Sequence, residues 1–223
     1  MKRFFVRLLN MLIGLVLYAL GIVITMKANI GYAPWDVFHA GLAAVIGLSF
    51  GVASIIAGIV IVIVVTVLGE KLGLGTLAGM ILTGVLIDVI LWTDVMPTAD
   101  NFVIGIIMLI AGLFIISIGS YFYIKSAFGA GPRDNLMVVL TRKTKIPVGL
   151  CRGAVELLAT LAGWLMGGMV GIGTVISVVA IGFCIQITFR VLRFDVTAVR
   201  HETLGDTYAA FTNKNRDKYW RDS

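Results

Sequence analysis

Long apolar stretches separated by short clusters of glycine, proline and charge set the rhythm of this chain. Nearly uncharged runs of 17 or more residues recur at 8–26, 52–68, 74–92, 102–124, 154–170 and 172–189. Each is long enough to cross about 30 Å of hydrocarbon as a helix, so the pattern predicts six membrane spans. The first run follows Lys2, Arg3 and Arg7 as a secretory signal would. It lacks a small-residue cleavage site and is longer than a typical signal core, which reads as a retained first helix. Between the first two runs stands KANIGYAPWDVFHAG, residues 27–41, where a lysine, two glycines, a proline, an aspartate and a histidine interrupt the apolar sequence.

That interruption has a copy. Shifting the chain by 98 residues aligns, without a gap, Gly14 with Gly112, Gly21 with Gly119, Lys27 with Lys125, Gly31 with Gly129, Pro34 with Pro132 and Asp36 with Asp134. The same shift carries on through Gly51 and Gly149, Gly73 and Gly171, Gly75 and Gly173, Thr76 and Thr174, and Gly84 and Gly182. Agreement among apolar residues is cheap in such a composition, whereas matched Lys, Pro, Asp and so many Gly is not. The chain therefore reads as two copies of one unit. The first repeat occupies 1–92, a connecting loop 93–101, the second repeat 102–191 and a tail 192–223.

Each copy holds three spans and one short segment, about 34–48 and about 132–145. The uncharged part of the second segment ends at Arg142, too soon to cross a bilayer, and its partner is expected to behave alike. An odd number of crossings per copy makes consecutive copies face opposite ways. The expected fold is thus an all-α integral membrane protein of six transmembrane helices, arranged as two inverted three-helix repeats, each with a re-entrant or interfacial half-helix. Charge supports this. With the N-terminus cytoplasmic, 17 of the 18 Lys and Arg fall inside, Lys27 alone falls outside, and the external loop TDVMPTADN carries two aspartates and no base. A parallel arrangement in which both short segments cross would place Lys27, Lys71, Lys125 and Arg133 outside.

Composition agrees: the chain has 223 residues, is 59% hydrophobic and 13% charged, and could not hide so much apolar surface in one soluble core. The net charge of +6 sits beside spans and in the tail, which fits membrane orientation and not nucleic acid. Cys151 and Cys184 lie in or beside spans without metal-ligand spacing and read as packing residues. There is no paired His-Glu metal motif, no nucleophile elbow and no phosphate loop, so neither an enzyme, a cofactor nor a metal is expected. The Gly-x-x-x-Gly spacings, among them GLSFG, GTLAG and GWLMG, read as tight turns or close helix contacts. From Arg190 onward the chain mixes seven basic with five acidic residues and is expected along the cytoplasmic leaflet.

Proline suits a first helical turn, and the glycines before it allow a sharp change of direction, so helices are expected to start at Pro34 and Pro132, behind Gly31 and behind Gly129 and Gly131. Asp36 and Asp134 then fall in first turns, where free backbone N–H groups and the helix dipole stabilise a carboxylate. A second use of the same geometry is a solute site: half-helices entering from opposite faces bring their N-termini together near the midplane. Asp36 and Asp134 would then take a cation or proton. The N-termini, with Lys27, Lys125 and Arg133, would take an anionic group. Trp35 in one copy is replaced by Arg133 in the other, and Val37 by Asn135, which makes the two copies chemically unequal. His39, one turn after Asp36, either pairs with it or stands alone at the interface. Asp88, matched by Gln186, either reaches water or lines a pathway. Arg152 and Glu156 have the spacing of a helical ion pair.

The pattern Gly31, Pro34, Trp35, Asp36 after a first span, echoed by Gly129, Gly131, Pro132, Arg133, Asp134, resembles the YczE/YyaS/YitT group of bacterial integral membrane proteins, nearest its YczE-like branch. The likeness extends over about residues 5–195, with GYAPWDVFHAGL its most specific element. It implies a multi-span protein of the bacterial inner membrane and supplies little chemistry. Two functions follow as expectations. One is a small-solute transporter or permease with a central site at the two Gly-x-x-Pro-x-Asp loops, binding an unknown solute or ion within the lipid bilayer. The other is a non-transporting accessory, a substrate-capture or assembly subunit acting with a partner membrane protein or as a homo-oligomer.

Overall fold

The computed structural model describes residues 2–70, 72–129, 131–195, 199, 202, 203 and 205. Its described residues form eight α-helices and no strands: α1 (Lys2–Lys27), α2 (Pro34–Ile46), α3 (Phe50–Val67), α4 (Leu74–Thr93), α5 (Phe102–Lys125), α6 (Pro132–Thr144), α7 (Val148–Leu165) and α8 (Ile172–Val191). The first residues of α2, α3 and α4 each recur 98 positions later as the first residues of α6, α7 and α8. Five helices, α1, α3, α4, α5 and α8, are long and apolar enough to cross a membrane. The chain is a membrane protein, and its outer surface agrees: Ile59, Val60 and Ile63 of α3, Leu157 and Leu161 of α7, and Val175 and Phe183 of α8 are all exposed. Only lipid tolerates such a belt.

At 13 residues each, α2 and α6 extend only about 20 Å, short of the hydrocarbon thickness. The short segments expected at 34–48 and 132–145 therefore stop slightly early. Gly47 (φ +67°) ends α2 and Lys145 (φ +59°) ends α6 in left-handed conformations that close the last turn. The run expected at 154–170 is also displaced, since α7 starts at Val148 and breaks at Gly167 (φ +94°). Hydropathy marks where the bilayer would lie, whereas the helix extends one turn past Arg152 in the N-terminal direction.

At the centre, α1 and α5 run antiparallel in close contact. A β-carbon added to Gly14 would sit 2.9 Å from the Gly119 carbonyl oxygen, and one on Gly21 would sit 2.8 Å from that of Gly112. Paired glycines let the two backbones touch. Around this axis α4 packs on α1, α8 packs on α5, α2 packs on α7 and α6 packs on α3. Every one of these pairings exchanges with its partner when the two copies are swapped. The copies differ in one place: α3 leans on α4, while α7 has no comparable contact with α8.

The copies also complete each other's backbone. The Gly173 N–H at the start of α8 donates to the Ile30 carbonyl (2.7 Å), and the equivalent Gly75 N–H at the start of α4 donates to the Phe128 carbonyl (2.7 Å). First-turn amides have no acceptor within their own helix, and in lipid an orphaned one costs several kcal/mol, so each copy satisfies the other.

Candidate functional site

Both short helices begin as their sequences dictate. Ala33 before Pro34 and Gly131 before Pro132 are extended, and proline opens the first turn. Upstream, Gly31 (φ +115°) and Gly129 (φ +133°) turn the chain through a region closed to other residues. A side chain there would also lie 2.6 Å from the Gly171 nitrogen in one copy and 2.8 Å from the Gly73 Cα in the other. Each loop is wedged against the start of the opposite copy's last helix, which fixes where Pro34 and Pro132 stand.

From these positions the second residues of the two short helices meet. The Arg133 guanidinium lies over the Trp35 ring at 4.8 Å, and its Nη2 approaches His39 Nε2 at 3.3 Å and Nδ1 at 3.5 Å. His39 Nδ1 is in turn 3.9 Å from Asp36 Oδ1. Asp36 and His39 are 4% and 2% exposed, buried as few charged groups are. Phe50 of α3 closes the back of the cluster, edge-on to His39 at 5.6 Å, and Phe38 stands beside Trp35. Tyr18 of α1, between the two central glycines, lies within electrostatic reach of Arg133, Asp134, Asp36 and Arg152. Tyr123 of α5 reaches Asp134 in the same way and donates to the Gly75 carbonyl at 2.9 Å.

The two aspartates have parted company. Asp36 is buried in the first turn of α2, its Oδ1 3.9 Å from His39 Nδ1. Asp134 is exposed, and its Oδ2 folds back over Gly131 at the start of its own helix, 3.2 Å from where a β-carbon would be. The capping expectation therefore describes the position of Asp134 better than that of Asp36. Arg152 and Glu156 form the expected pair, Nε donating to Oε1 at 2.8 Å, and the arginine is near enough to Asp134 to feel its charge. Asn135 lies beside Asp134 in the same turn of α6.

Other candidates stand elsewhere. Lys27 is not at the centre: its Nζ donates to Asp94 in the 93–101 loop at 2.7 Å. That bond holds the exposed Asp94 carboxyl below the usual carboxylate range. Lys125 turns to Tyr121, donating to its hydroxyl at 2.8 Å. Asp88 is half-buried and stands beside the start of α3. It accepts from Ser49 Oγ at 2.5 Å and from the Gly51 N–H at 2.7 Å, holding the start of α3. Gln186 is exposed on α8. Part of the tail docks instead of spreading over lipid: Glu202 is buried, pairs with Arg7, and donates its N–H to the Ala127 carbonyl. Most of the remaining tail lies outside the described residues.

Tyr18, Tyr123 and Phe50 escaped the sequence reading. A hydroxyl between Gly14 and Gly21 in an apolar run was the available signal for Tyr18; Phe50 carries none. Among the described residues, no three His, Cys, Asp or Glu side chains gather as a metal ion would require. The arrangement offers instead an aromatic face, a buried carboxylate and a guanidinium contributed by opposite copies.

A model of the family of unknown function DUF6198 matches residues 5–190. The uncharacterized membrane protein YczE of Bacillus subtilis (strain 168) is 34% identical over 175 residues, 78% of this chain and 80% of the relative. An uncharacterized protein of Haemophilus influenzae is 29% identical over 81% of this chain and 84% of its own length. The uncharacterized protein YyaS of Bacillus subtilis is 26% identical over 93% of this chain and 96% of its own length. The resemblance carried by the Gly-x-x-Pro-x-Asp segments therefore holds. No solved structure matches the chain significantly.

Proposed function

The chain belongs to the DUF6198 family, alongside YczE and YyaS, and on that premise we propose that it is a small-solute transporter or permease that works without covalent chemistry on its cargo. The observation that carries this reading is the meeting of Arg133 with Trp35 and His39. Equivalent segments from two copies of one unit converge there, on the first turns of helices too short to span. Broken or half-length helices of this kind surround the solute in many secondary transporters. Irregular backbone at that depth is tolerated where it is covered by protein or lines a cavity.

In this reading six helices cross the membrane of a bacterial cell, α7 being the sixth, and the two copies are inverted about an axis in its plane. The antiparallel contact of α1 with α5 supports the inversion. Both termini are cytoplasmic and the 93–101 loop is external. The loop's acidic character and the pairing of Lys27, the one outlying base, with Asp94 support that orientation. Buried Asp36 and exposed Asp134 support a conformer closed around α2 and accessible around α6. Exchange of those roles between the copies gives the second access state.

The test is flux. Purified protein in liposomes, screened first for ligands by thermal stabilisation, should carry a solute or protons, and Asp36→Asn should reduce that flux at least about tenfold, since an intramembrane carboxylate is retained for use. Full flux with Asp36→Asn, or no flux of any solute that stabilises the protein, overturns the permease reading.

A further inference from the structure

Arg133 occupies the place of a ligand. It arrives from the opposite copy, on α6, and lays its guanidinium on the indole of Trp35 at 4.8 Å. The Trp35 face is negative in its quadrupole and attracts a cation. Next along α2, the Asp36 carboxylate is 4% exposed, and His39 Nδ1 lies 3.9 Å from it. Arg133 attracts Asp36 through space without forming a salt bridge to it. A guanidinium normally offers a carboxylate two parallel N–H groups. Here it stacks and stops short. The tether from the α6 backbone brings Arg133 to the ring and to His39 and gives it no direct hydrogen bond to the acid.

We propose that Trp35 and Asp36 form a binding site for a small organic cation of guanidinium or quaternary-ammonium type, and that Arg133 is a tethered occupant displaced by that cation. This rests on the permease reading and names its cargo class. A diffusible cation can do at once what Arg133 does in part: cover the indole and sit against the carboxylate. Phe38 packs edge-on to Trp35 and Phe50 edge-on to His39, adding aromatic surface nearby. An anion recruited by Arg133 would instead lie against a buried carboxylate and the negative face of a ring, both of which repel it. The exchange also couples the two copies. Displacing Arg133 frees the first turn of α6 from α2, so cargo binding loosens the contact that joins the half-helices.

A built-in competitor lowers the apparent affinity by the fraction of time it holds the site. Titration calorimetry on the purified full chain, with methylguanidinium and tetramethylammonium as probes and acetate as the anion control, reads this directly. Arg133→Gln should bind one or both cations at least about tenfold more tightly than the unmutated chain. Adding Trp35→Leu should abolish the gain, and adding Trp35→Phe should retain part of it. No cation binding by folded Arg133→Gln, cation binding indifferent to Trp35→Leu, or a gain for acetate instead overturns the proposal. Should Arg133→Gln not fold, the unmutated chain labelled with 5-fluorotryptophan serves. Trp35→Phe assigns the Trp35 resonance among the four tryptophans; millimolar probe should shift it, and an unmoved signal overturns the proposal. Cation binding without flux of any solute defeats the permease reading and leaves the site. Flux lost in Trp35→Leu, with neither cation bound, defeats the cargo assignment and leaves the permease.

Discussion

Trp35 and Arg133 are the same position in the two copies, and their side chains touch. On the inverted reading proposed above, residues that meet their own counterparts stand close to the two-fold axis, and this contact is where that reading puts it. Identical residues would face themselves there, and the divergence to an indole and a guanidinium turned a self-contact into a complementary pair. Sequence alone identified both residues as departures from the repeat but could not show that they meet, because contact across an axis leaves no periodic trace. The lysines are the opposite case. Lys27 and Lys125 match in sequence, yet one bonds Asp94 and the other Tyr121, since the repeat puts Leu192 in the place of Asp94 and Val23 in the place of Tyr121. For Lys27 the consequence is measurable. Its hydrogen bond and charge depress the Asp94 carboxyl, so the pair's stabilisation is complete above the ordinary carboxylate range and fades as pH falls through the lowered value. Melting of the unmutated chain and of Asp94→Asn should differ near neutrality and converge in acid. The gap will be small, because Asp94 is exposed; a gap that widens on acidification contradicts the pairing.

The two short helices are alike in length and unlike in how they are held. On α2, Gly41 and the α7 glycine Gly163 press backbone to backbone, a β-carbon on Gly163 falling 2.4 Å from the Phe38 nitrogen. The equivalent residues between α6 and α3 are Val139 and Val65, which touch through side chains. An ion pair between Arg142 and Glu70 (2.8 Å) is added at the far end of α6. Backbone contact leaves no slack, whereas side chains can slide, so α6 is the freer of the pair. Gly163→Val should therefore destabilise the protein by about 1–3 kcal/mol or more, the usual cost of overfilling a packed contact. Gly182→Ala meets nothing within 4 Å on α8 and should be neutral or stabilising by up to about 1 kcal/mol. Thermal melting in one detergent compares them, and equal effects would refute the backbone contact. The starts of α2, α4, α6 and α8 were legible in the chain because proline, glycine and the 98-residue offset mark them, whereas the start of α7 at Val148 was not. Nor was the end of α7, because apolar residues continue past the turn at Gly167.

At the scale of the whole molecule, the repeat was the most informative feature of the sequence, since glycine, proline and aspartate matched at fixed offset cannot arise from apolar bias. What it could not convey was how far the copies interpenetrate. Orientation is open to direct test. In a chain with Cys151 and Cys184 replaced by alanine, a membrane-impermeant maleimide added to intact cells should label Thr98→Cys in the connecting loop and spare Lys143→Cys at the end of α6 until the cells are opened. Protection of both until the cells are opened would refute the inverted arrangement, and the reverse pattern would refute the orientation. The interpenetration has a consequence for how the protein is made. As the chain leaves the ribosome, α4 is complete well before Phe128 exists, so the Gly75 amide enters the bilayer with its eventual acceptor not yet synthesised. Gly173, synthesised last, finds Ile30 already waiting. The first half is thus inserted as an unfinished piece, and assembly closes in one late step when the second half supplies both missing ends.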